Sequence, residues 1–109
     1  MVLVLMRRVL QSAGFQVHTA QTERQAIEAL RSAGCIRIAI LDRCIPGTSG
    51  ERVFDQVAAE CPGIKVIVAS GEDPQEVEQA FSGRKVDCFV RKPFDNGTLL
   101  AAVKSALMA

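Results

Sequence analysis

The sequence predicts one doubly wound α/β domain of 109 residues, a parallel sheet with helices on both faces. Three observations carry that prediction. Short apolar runs rich in β-branched residues, at 36–42, 65–69 and 86–91, alternate with segments whose apolar residues recur at helical spacing. The runs are apolar almost throughout, as strands covered on both faces must be. Each leads into a polar residue and then a turn: Asp42 before the Pro46-Gly47 and Ser49-Gly50 loop, Ser70 before Gly71, and Lys92 before Pro93.

Taken in order, residues 1–13 admit a buried strand over 1–5 or a helix. The helix is favoured, with Val2, Leu5, Met6, Val9 and Ala13 on one face, Arg7 and Arg8 outside, and Gly14 as its C-terminal cap. Residues 15–19 alternate apolar and polar and predict a half-buried strand, with His18 on a solvated position. Thr22 and Gln25 form a capping box for a helix that buries Ala26, Ile27 and Leu30 and stops at Gly34. The central strand follows at 36–42. A helix with Val53, Phe54, Val57 and Ala58 inward ends at Pro62-Gly63. After the 65–69 strand, Asp73 as N-cap, Pro74 at the first helical position and Glu76 at the third start a helix. That helix buries Val77, Ala80 and Phe81 and closes at Gly83. The strand at 86–91 precedes a last helix capped by Asp95, with Leu99, Val103, Ala106 and Leu107 buried. Strands alternating with helices imply crossover connections and a parallel sheet.

Composition removes several function classes. With 13 basic against 12 acidic residues there is no charge excess to hold a nucleic-acid backbone or an anionic membrane. The five aromatics, all Phe, make no stacking platform for single strands. Cys35, Cys44, Cys61 and Cys88 have neither zinc-finger nor C-x-x-C spacing and read as free core thiols of a reducing cytoplasm. The apolar run at 2–6 is too short for a membrane span or a signal peptide.

The chemistry lies at the strand ends. In a parallel sheet the carboxyl ends share one edge, so Asp42, Ser70 and Lys92 converge although they are far apart in sequence. A carboxylate can act as a nucleophile toward phosphorus, a Lys ammonium neutralises phosphoryl oxygens, and a Ser hydroxyl can donate to one of them.

These residues resemble a response-regulator receiver domain of two-component signalling. The matching motifs are Ile40-Leu41-Asp42 with Ile45-Pro46-Gly47 and Ser49-Gly50, then residues 66–71, then 86–94. The resemblance implies a flavodoxin-like receiver fold of strand order 2-1-3-4-5, with Asp42 as phosphoacceptor from a phosphohistidine. It further implies Ser70 and Lys92 as phosphoryl-binding groups, Phe89 as a switch aromatic, and a cis peptide before Pro93. Mg²⁺ would be held by Asp42, the backbone carbonyl of Cys44 and an acidic pair at the end of a first strand. Implied partners are a sensor histidine kinase or a histidine phosphotransfer protein in the cytoplasm, with homodimerisation compatible.

The chain departs from the receiver pattern at one place. Counting back from Gly14 leaves no room for the first strand, and no Asp or Glu precedes Glu23, so the acidic pair is absent. Three explanations are open: strands 2 and 3 pair directly, another chain supplies the strand, or residues 1–109 are an N-terminally shortened receiver domain, the reading favoured here. Asp42 with one carbonyl is a weak Mg²⁺ site, since that ion wants six oxygens. The alternative function is therefore a degenerate receiver acting as a phosphorylation-independent interaction module. An aspartate-nucleophile phosphatase of the haloacid dehalogenase type would need an Asp where Cys44 stands, and no Gly-rich nucleotide motif occurs. The expectation is a signalling domain and not an enzyme.

Overall fold

A computed structural model describes residues 10–33, 36–43 and 47–108. Four helices and three strands alternate among them: α1 (Glu23–Ala33), β1 (Ile38–Asp42), α2 (Gly50–Glu60), β2 (Lys65–Ser70), α3 (Pro74–Ala80), β3 (Cys88–Arg91) and α4 (Asn96–Met108). The strands form one parallel sheet in the order β1-β2-β3. β2, at its centre, is buried at every position but Lys65.

Because side chains alternate across a strand, the sheet divides its apolar residues between two cores. Ile40, Ile67 and Val90 face Leu10 and α4, through Leu99, Ala102, Val103 and Ala106. Leu41, Val66 and Val68 face Val53, Phe54 and Val57 of α2, with Val77 and Phe81 of the α3 segment. Phe81 is the hinge of that second core, its ring edge-on to Phe54 at 6.0 Å and to Phe89 at 6.1 Å.

The predicted N-cap residues cap their helices, although the Gln25 side chain accepts from the Gln21 N–H at 2.8 Å in place of the Thr22 N–H of a capping box. Thr22 Oγ1 accepts from the Gln25 N–H at 3.1 Å, Asp73 Oδ1 from Gln75 at 2.9 Å, and Asp95 Oδ1 from Thr98 at 2.7 Å. Ser49 adds a fourth cap that the sequence reading passed over, accepting from the Arg52 N–H at 3.2 Å.

Several expectations are corrected. Residues 15–19 join no ladder among the described residues, although Phe15 and Val17 pack inward and Gln16 and His18 are exposed as the alternation requires. A cavity of about 410 Å³ is lined by residues of this segment and of β1, among them Phe15, Val17, Ile38 and Ile40, with Leu30 and Val103. Alternation makes a strand only where a neighbouring backbone supplies hydrogen bonds. Ala13 is exposed, because the helical residues 10–12 give way to a turn that closes at Gly14 with φ +93°. The rest of the expected first helix, including Val2, Leu5, Met6 and Val9, lies outside the described residues, as do Cys35, Cys44 and Gly34. The third strand starts at Cys88 and not at Val86: the Asp87 carboxylate accepts from the Val66 N–H at 2.8 Å, where a main-chain carbonyl would otherwise continue the ladder. Cys61 and Cys88 are half-buried free thiols, and burial raises the Cys88 pKa.

α2 enters against the end of β1. The Gly50 N–H donates to the Arg43 carbonyl at 2.9 Å, and a Cβ on Gly50 would stand 2.7 Å from Arg43 Cα. Both neighbours are main chain, so Gly50→Ala forces the helix start away from the sheet. A loss of about 1–3 kcal/mol is expected in urea denaturation.

The two-pronged Arg84–Asp55 pair, at 2.8 and 2.9 Å, ties the loop before β3 to α2. Hydrogen bonding from the Arg84 guanidinium, against burial, holds the Asp55 carboxyl below its ordinary value, and Arg31 does the same to Glu60. A carboxyl lowered in the folded state stabilises at pH above its unfolded pKa of about 3.9. That contribution is lost as pH falls through the lowered folded value. Acid denaturation should therefore be shallower in Asp55→Asn than in the wild type below about pH 4, measured as the urea midpoint against pH.

Candidate functional site

Parallel register builds the site. Asp42 stands opposite Ala69, and Ser70 opposite Arg91, so the ends of the three strands lie on one edge. Two further main-chain bonds extend that edge past the strands: Arg43 N–H to the Ala69 carbonyl at 3.1 Å, and Lys92 N–H to the Ser70 carbonyl at 2.8 Å. The ladder thus brings Asp42, Ser70 and Lys92 together, as their strand-end positions require.

Lys92 Nζ forms an ion pair with Asp42 Oδ2 across the edge, spanning the end of β2. Both side chains are more than two-thirds shielded from solvent, which strengthens the attraction relative to a surface pair. Ser70 is the one buried polar residue of the described core, and its Oγ accepts from the Glu72 N–H at 3.0 Å. That bond leaves the hydroxyl proton available to an acceptor in the crevice. The Lys92–Pro93 peptide bond is cis. Phe89 is half-buried on the second core beside Phe81.

The sequence reading missed Arg43. Its side chain reaches Glu51 in the first turn of α2, Nε to Oε1 at 3.4 Å, and Glu72 in the β2–α3 loop through Nη1. Burial works against its charge, but Glu72 and Glu51 outweigh that effect and raise its pKa. The signal was faint, because a cation beside a strand-end acid has no characteristic spacing to acids 8 and 29 residues away.

For a divalent cation the donor set is short. Asp42 is the one carboxylate among the residues that end the three strands, and Lys92 already faces it. Among the described residues no group of three or more His, Cys, Asp or Glu side chains could hold a metal. The Cys44 carbonyl lies outside the described residues. These groups do not make a complete Mg²⁺ site, so none of the chemistry below is routed through the ion.

The fold and this edge define a parallel α/β domain with an acid, a hydroxyl and an ammonium at its strand ends, and comparison with known proteins gives its family. Residues 1–104 match the response regulator receiver domain family, and the chain belongs to it. Among solved structures, the receiver domain of NtrX from Brucella abortus superposes with a TM-score of 0.87 at 24% identity, covering 96% of this chain and 88% of that one. The chemotaxis protein CheY4 of Vibrio cholerae gives 0.85 at 23%, covering 94% and 86%. The response regulator TrrA of Thermotoga maritima, solved in complex with Mg²⁺ and BeF, gives 0.78 at 25% identity over the same shares. A curated relative, a cyclic di-GMP phosphodiesterase of Thermotoga maritima, is 28% identical over 102 residues. The chain spans 94% of itself in that match but about a quarter, 27%, of the relative's length. The fold is the flavodoxin-like parallel α/β arrangement of receivers, and no described helix is long and apolar enough to cross a membrane.

If Lys92 is held mainly by Asp42, the two are energetically coupled. Lys92→Met should cost about 1–2 kcal/mol at neutral pH, between the exposed and fully buried limits. In an Asp42→Asn background it should cost less than half as much, which a double-mutant cycle of denaturation free energies measures.

Proposed function

We propose that Asp42 is the phosphoacceptor of this receiver domain, and that the domain comprises residues 1–109. The observation that carries the reading is the Lys92–Asp42 ion pair spanning the end of β2, with the buried Ser70 on that strand. In the transfer, an Asp42 carboxylate oxygen attacks phosphorus in line. The new P–O bond forms as the P–N bond of a phosphohistidine breaks, and the imidazole nitrogen takes up a proton. Lys92 then faces the phosphoryl oxygens with its ammonium, and the Ser70 hydroxyl donates to one of them. The donor is a sensor histidine kinase or a histidine phosphotransfer protein, and the setting is the cytoplasm. Phe89 follows Ser70 inward as the switch aromatic, its ring already against Phe81. The Thermotoga TrrA structure holds Mg²⁺ together with BeF. In this chain Asp42 offers one ligand toward such an ion.

The short ligand set favours a second reading, a receiver that binds partners without being phosphorylated. One experiment separates the two. Incubation with a small acyl phosphate and Mg²⁺, followed by intact-mass measurement, should add one phosphoryl mass to the wild type and none to Asp42→Asn. Lys92→Met should slow formation of the adduct by at least tenfold, since it removes the fixed cation. A wild type that stays unmodified supports the interaction module instead.

A further inference from the structure

Among the described residues the Arg43 side chain ties the β2–α3 loop to the acceptor strand. Arg43 follows Asp42 directly, and its main chain is pinned on both sides, by the Ala69 carbonyl and by the Gly50 N–H. Its guanidinium holds Glu72, whose own N–H donates to Ser70 Oγ at 3.0 Å. Asp73, next along, caps α3. Arg43 therefore joins Asp42, the Ser70 hydroxyl and the start of α3 in one connected set.

We propose that Arg43 is a positioning residue that passes charge on Asp42 to this loop: when Asp42 carries a phosphoryl group, the guanidinium leaves Glu72 for the phosphoryl oxygens and the loop is released. The proposal rests on the phosphoacceptor reading. Three physical arguments support it. A phosphoryl group brings about −1.5 to −2 charge and three acceptor oxygens, and a guanidinium prefers such a group to a lone carboxylate oxygen. Among the described residues the unmodified edge pairs three carboxylates, Asp42, Glu51 and Glu72, with the cations Lys92 and Arg43, so added negative charge on Asp42 competes with the acids for these cations. Glu72 is the one to leave, because its side chain is 38% exposed against 25% for Glu51 and 20% for Asp42, and it rehydrates most readily.

Amide hydrogen exchange over residues 71–77, read by mass spectrometry before and after treatment with a small acyl phosphate and Mg²⁺, tests this. In the wild type, phosphorylation should speed exchange there at least threefold. In Arg43→Gln and in Glu72→Gln the untreated protein should already exchange at that faster rate, with less than a 1.5-fold further change on phosphorylation. Two variants are used so that one remains if the other fails to fold, as judged by thermal melting. An adduct on the wild type without faster loop exchange, or an equal response in the folded variants, overturns the proposal and leaves the phosphoacceptor reading standing. No adduct on the wild type overturns both.

Discussion

The structure depends on β2 being paired in parallel on both sides and covered on both faces. A strand in that position cannot slip by one residue without moving Ile67 and its flanking valines to the wrong cores. The register that keeps the cores closed is the one that sets Ala69 against Asp42 and Ser70 against Arg91. Core and site are therefore one constraint: the burial that fixes the sheet also brings an acid, a hydroxyl and an ammonium to one edge.

The electrostatics divide by depth. Arg24–Glu28 on α1 is solvated, with side chains 89% and 61% exposed, and contributes little beyond local helix support. The pairs Lys92–Asp42 and Arg43–Glu51 sit behind the strand ends, where water screens them less; the first joins the ends of β1 and β3, the second the end of β1 to the first turn of α2. In this second group a change in charge has somewhere to travel, since each cation belongs to a different connection between sheet and helix layer.

Much of the architecture was visible in single segments. The apolar runs that became β1 and β2 need no neighbour to be recognised, and Thr22, Asp73 and Asp95 announce helix starts because a cap bonds within three residues of itself. Recognition failed where structure depends on distant backbone. Phe15 to Thr19 has the pattern of a strand but faces a cavity of about 410 Å³ toward β1. Val86 and Asp87 read as strand, yet the Asp87 side chain takes the ladder's hydrogen bond.

The sequence by itself determined the α/β class, the strands that carry Asp42 and Ser70, and the position of Lys92 just past the third, because these follow from hydrophobic pattern and from where polar residues interrupt it. The tertiary structure alone decided that Lys92 faces Asp42 and that Arg43 gathers Glu51 and Glu72. It also decided that the 15–19 segment pairs with none of the described strands. Those contacts join residues across separate strands and loops, and their geometry is set by strand register and helix packing, which no local pattern encodes.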